Sequence, residues 1–131
     1  MNKLKLFGWE LKDCPPTDVE SPSGIVYCFV WNNPPQKQDF RTARERKPGV
    51  YNKLSDDEKC EANGFSVFTN YQDILVAKED YRGFRKAYIA EANLTSECGV
   101  IKNTPSGYPS HHTWWPPIEK QIWLLFKIET Q

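Results

Sequence analysis

The sequence predicts a single α+β domain, with a mostly antiparallel sheet of about five or six strands and two or three helices near the middle of the chain. Three observations carry that expectation. Short β-branched and aromatic segments recur between turn residues, most densely in the last third of the chain. Ser55-Asp56-Asp57-Glu58 and Thr69-Asn70-Tyr71-Gln72 have the Ser/Thr-x-x-Glu/Gln spacing of a helix start. Finally, 131 residues with five Trp, six Tyr and seven Phe can bury a core, since each large ring removes roughly 150–250 Å² from water.

Residues 1–23 read as an extended lead-in to a domain spanning 24–131. Leu4 to Trp9 has the pattern of a short strand, and Cys14-Pro15-Pro16 and Ser21-Pro22-Ser23-Gly24 are turn signals. Ile25 to Trp31 is apolar or aromatic on both alternating faces, which predicts a central strand covered on both sides. Asn32-Asn33-Pro34-Pro35 ends it, and the polar stretch to Lys47 is expected to be a helix stopped by Pro48-Gly49. The helix capped by Ser55 should end at Asn63-Gly64. Phe65 to Phe68 reads as a strand, with Phe65 and Val67 on one face. A helix from about Asn70 to Asp80 follows, its Tyr71, Ile74, Leu75 and Tyr81 spaced for core packing. Ala87 to Leu94, Cys98 to Lys102, His111 to Trp115 and Ile122 to Ile128 complete the sheet, the last with Ile122, Leu124, Phe126 and Ile128 on one side.

Charge and cysteine usage narrow the class. Seventeen basic residues against 17 acidic ones exclude a histone-like, uniformly phosphate-binding surface. No apolar run approaches the roughly 20 residues needed to span a bilayer, and no secretion leader is evident, so a cytoplasmic protein without membrane contact is expected. Cys14, Cys28, Cys60 and Cys98 are far apart, without C-x-x-C, and read as free thiols. No cofactor or metal is expected, because closely spaced ligand pairs are absent, and there is no Gly-rich phosphate loop and no G-x-S-x-G elbow.

Chemistry-bearing side chains gather in two segments. Tyr108 to Pro117 holds both histidines, His111 and His112, with Thr113, Trp114 and Trp115. In a strand His111, Thr113 and Trp115 face one way and His112 and Trp114 the other, so only one imidazole can serve a given site. His111 should be partly solvent-accessible and Trp114 buried. The second segment, Lys37 to Lys47, carries five positive and two negative charges. If helical, it places Arg41 and Arg44 on one face for a phosphate or carboxylate. A solvated charged face and core tryptophans are the plainer explanations of the same residues.

Val30 to Phe40, Gly64 to Phe68 with its following helix, Ile89-Ala90-Glu91 and His112-Thr113-Trp114 together resemble small, uncharacterised bacterial proteins of similar length. That resemblance implies a self-contained bacterial domain and brings no activity with it. His111-His112-Thr113 also resembles one H-x-T motif of the two-histidine phosphoesterases, whose chemistry needs a second, separated motif that this chain lacks. The size is similar to that of ADP-ribosyltransferase-like folds, although an early-strand histidine or arginine has no counterpart here. The expected function is a binding module that recognises a protein partner or a small anionic ligand through Tyr108, His111, His112, Thr113, Trp114, Arg41 and Arg44. The alternative is an enzyme acting on a nucleotide or nucleic acid, with a histidine as acid or base. It requires arginines and an imidazole in one cleft. A structural component of a complex is the third reading.

Overall fold

The computed structural model describes residues 5–129. Among them, four α-helices and a six-stranded sheet form one body, and every strand pair is antiparallel. The strands are β1 (Gly24–Val30), β2 (Phe65–Phe68), β3 (Tyr88–Leu94), β4 (Val100–Asn103), β5 (His111–Trp115) and β6 (Lys127–Ile128). Their spatial order is β4-β5-β2-β1-β3-β6. The helices α1 (Ala43–Arg46), α2 (Pro48–Tyr51), α3 (Asp56–Ala62) and α4 (Tyr71–Asp80) fall between β1 and β3 in the chain. No helix among the described residues is long and apolar enough to cross a membrane.

The double-sided pattern of β1 is explained by what covers it. Val26, Cys28 and Val30 enter a core with Phe65, Val67, Ala90, Ala92, Leu94 and Trp114, closed over by Phe7, Phe40, Ile122 and Phe126. Tyr27 and Phe29 face the other way, against Phe68, Ile74, Ala77 and Ile89 of the layer formed with α4. A third cluster sits at the end of β5, where Trp115 is buried against Cys14 and Cys60.

Several expectations are corrected. Cys14 and Cys60 form a disulfide, so only Cys28 and Cys98 are free thiols, both buried. Linear spacing hid this bond because the lead-in doubles back onto α3. The strand expected at Leu4 to Trp9 shrinks to one bridge, Leu6 with Pro117, since Trp9 and Leu11 donate to Leu6 and Gly8 in successive turns; Leu4 itself lies outside the described residues. Gly8 has φ +86°, and a Cβ there would sit 2.6 Å from Cys14 Sγ.

The single helix expected up to Lys47 is instead a 3-10 turn at Lys37–Asp39 and the short α1. Thr42 starts α1 through a capping box with Glu45, each donating its backbone N–H to the other's side chain at 3.1 and 3.3 Å. α1 does end before Pro48, with Lys47 as its non-helical C-cap, and Pro48 then begins α2 at its first position, where the fixed φ of proline suits the helix and its missing N–H costs nothing. In α4 the cap is Asn70, whose side chain accepts from Asp73 N at 3.2 Å, and not Thr69. Thr69 N is held by Ser110 O at the start of β5. The strand expected at Ile122 to Ile128 is a 3-10 helix at Ile122–Leu125 followed by the two-residue β6. With three residues per turn, Ile122 and Leu125 turn inward together and Leu124 is 69% exposed.

Candidate ligand cleft

At its centre the sheet is held by a single pairing. β1 and β2 are paired at one position, Tyr27 with Phe68, and beyond it the stretches Cys28 to Val30 and Phe65 to Val67 have other partners but not each other. The gap between them is a half-open slot of about 110 Å³ floored by Cys28, Phe65, Val67 and Trp114 and walled by Phe29, Phe40 and Phe84. Trp31, Asp39, Arg41 and Arg46 form its rim and also line a shallower depression of about 280 Å³ with Asn32 and Gln38. The result is an apolar slot beneath a cationic mouth.

The local sequence builds each wall. The turn after β1 is held by Asp39, whose carboxylate accepts from Trp31 N at 2.8 Å, Asn32 Nδ2 at 3.0 Å and Gln36 N at 2.8 Å. Three donors commit that negative charge to the turn. The same turn swings Phe40 over the core, where its ring lies 5.2 Å from Phe126 and 6.3 Å from Phe65. On the opposite side Phe84 stacks on Phe29 at 4.3 Å with an interplanar angle of 11°, and Trp31 leans on Phe84 at 6.1 Å. Lys78 Nζ fixes the segment carrying Phe84 by donating to the carbonyls of Phe84 and Arg85. Cys28 offers no anion at the floor, because burial pushes its thiol up and keeps it neutral.

The arginines predicted to act together are separated. Thr42 is the N-cap of α1, so Arg41 precedes the helix and the three-residue helical relation to Arg44 does not exist. Arg41 lines the cleft with Arg46, and among the described residues neither has an ion-pair partner. Arg44 points elsewhere. Its Nη1 donates to Asn63 Oδ1 at 3.2 Å and to Glu10 Oε1 at 3.3 Å, and its guanidinium lies 5.1 Å over Tyr51. It ties the lead-in to α2 and α3.

Neither His111 nor His112 lines the cleft, so the arginines and imidazoles do not form the shared site that the catalytic reading required. In each ring Nδ1 lies 2.7 Å from a backbone carbonyl, Thr104 O for His111 and Ser110 O for His112. A carbonyl only accepts, so Nδ1 is the donor in both rings. His111 is half-buried, edge-on to Phe68 at 5.4 Å, and Thr104 Oγ1 meets Thr113 Oγ1 at 2.8 Å beside it. Tyr108 donates to Asp80 Oδ2 at 2.6 Å, a bond that pushes its phenol up and keeps it protonated. Thr113 and Trp114 are buried, and Trp114 lines the slot. The His111 segment therefore braces β5 against α4 and the loop at 104–110.

Desolvation holds the His111 imidazole below its ordinary value, with the Thr104 carbonyl opposing. The folded state then binds fewer protons than the unfolded chain just below the ordinary histidine range. Stability contributed by neutral His111 is present above about pH 6.5 and is lost as pH falls through the folded-state value. In urea denaturation from pH 7.5 to 5.0, His111→Gln is expected to remove part of the downward slope below pH 6.5. An unchanged slope would rule out His111 as its source.

Comparison of the chain with family models, with curated proteins and with solved structures gives no match. The cleft is read from its own geometry. Trp31, Arg46, Ser66 and Phe84 line the cleft without any sequence motif that marks them. The Thr42-x-x-Glu45 capping box could have separated Arg41 from Arg44, whereas nothing linear brings Phe84 to Trp31.

Proposed function

We propose that the protein is a binding module for a small organic anion, held where β1 and β2 part. The carrying observation is the pair of guanidinium groups, Arg41 and Arg46, at the mouth of an apolar slot and free of acidic partners among the described residues. Guanidinium presents a planar fork of donors to a carboxylate or phosphate, and Trp31, 44% exposed, offers a ring face beside it. An apolar pocket with a few convergent polar groups is the usual form of a small-molecule site. A nucleotide phosphate or an acidic group on a protein partner belongs to the same anion class. Both histidines lie outside the cleft lining, which favours binding over acid-base chemistry.

Calorimetric titration with a panel of small carboxylates and phosphates tests the reading. A charge-assisted hydrogen bond contributes about 1.5–3 kcal/mol, so Arg41→Gln and Arg46→Gln should each weaken binding about tenfold or more, while Arg44→Gln leaves affinity unchanged. Absence of binding by every anion, or an affinity indifferent to both cleft arginines, overturns the proposal.

A further inference from the structure

Resting on the anion-binding reading, we infer that the ligand is a monocyclic organic anion, one six-membered ring filling the slot and its charged head lying between Arg41 and Arg46. Volume sets the size of the apolar part. A dry protein cavity of about 150 Å³ accepts benzene, and this slot has about 110 Å³ and opens to solvent. One ring enters partway; two fused rings do not.

The walls are aromatic. Phe29 and Phe84 stack on each other at 4.3 Å and form one wall, and Phe40, Phe65 and Trp114 also line the slot. A ring inserted among them gains edge-to-face and offset contacts beyond those of area burial. Cys28 adds a neutral, polarisable sulfur at the floor. No carboxylate stands among the lining residues except Asp39, and its oxygens are occupied by the three donors of the turn. The cations among the lining residues are Arg41 and Arg46, so the charged end stays at the mouth, in the 280 Å³ depression that they share with Asn32 and Gln38. Carboxylate and phosphate heads have the same chemistry at this point, and the probes separate them.

Benzoate, phenyl phosphate, acetate, inorganic phosphate, benzyl alcohol and 2-naphthoate are titrated into the unaltered protein by calorimetry. Benzoate or phenyl phosphate should bind at least tenfold tighter than acetate or inorganic phosphate, which lack the ring. It should equally exceed benzyl alcohol, which lacks the charge, and 2-naphthoate, which is too large. The order of the two ringed anions assigns the head group. Val67→Phe, which fills the slot, should reduce the preference of ringed over ringless anions to near unity while anion binding persists. The panel decides the question even if that variant does not fold. Acetate or inorganic phosphate binding as tightly as the ringed anions, or 2-naphthoate binding equally well, overturns the monocyclic ligand and leaves the anion site standing. No binding by any charged probe overturns both.

Discussion

Replacing Trp114 with alanine is expected to destabilise the protein by about 3–5 kcal/mol, the range for truncating a large buried ring. The indole has 0% exposure. Its ring lies 5.9 Å from Phe126 and 6.1 Å from Phe65, and Nε1 donates to Cys98 O at 2.7 Å. Alanine leaves a void between β2, β5 and the C-terminal segment, and it strands that carbonyl without its donor. Because the slot floor includes Trp114, the same void should enlarge the cleft and loosen any selectivity for ligand size. Guanidinium denaturation of Trp114→Ala beside Trp31→Ala, whose ring is half in solvent, provides the measurement. A loss from Trp31→Ala equal to that from Trp114→Ala would contradict the assignment of Trp114 as the central core residue.

Removing the Cys14–Cys60 disulfide should cost a comparable amount. The bond closes 46 residues of chain, and the loop-entropy relation gives about 4 kcal/mol for that length. It also joins the lead-in to α3 beneath Trp115, whose Nε1 donates to Cys60 O at 2.9 Å. Cys14→Ser/Cys60→Ser is expected to unfold at a lower guanidinium midpoint, and dithiothreitol should bring the unaltered protein to that midpoint without affecting the variant further. Equal midpoints for all three conditions would show that the bond contributes nothing. A disulfide persists in an oxidising setting, and the expectation of four free thiols falls away.

The elements legible in the sequence were those in which a local preference and the global fold agree. β1 was evident because both of its faces are covered and both are apolar. α3 was evident because Ser55 and Glu58 satisfy each other's backbone donors, with Glu58 N donating to Ser55 Oγ at 3.3 Å. The burial of Trp114 and the partial exposure of His111 follow from depth along β5 and not from alternation, since both histidines at its start are half-buried while Thr113, Trp114 and Trp115 are all buried. Alternation failed at Ile122 to Phe126, because a 3-10 turn and a strand can both bury Ile122 and Phe126, and the choice depends on what each packs against. Pro48 was legible as the end of α1, but not as the start of α2, because a proline ends the helix before it whether or not a new one follows.

The cleft was half legible. The richness of Lys37 to Lys47 in arginine and the presence of exposed aromatic residues are properties of the sequence, and Arg41 was read as a recognition residue on that ground. The direction in which each arginine points is decided by partners far away in the chain: Glu10 and Asn63 capture Arg44, while Arg41 and Arg46 remain at the slot. What the sequence by itself determined is the inventory, an antiparallel α+β domain with its rings, cations and caps, because periodicity and capping act within a few residues. Where β1 and β2 part, and which side chains therefore meet there, only the tertiary structure decided. A gap between strands more than 30 positions apart depends on the summed packing of Phe40, Phe84 and Trp114 from three other segments, and no local pattern records that sum.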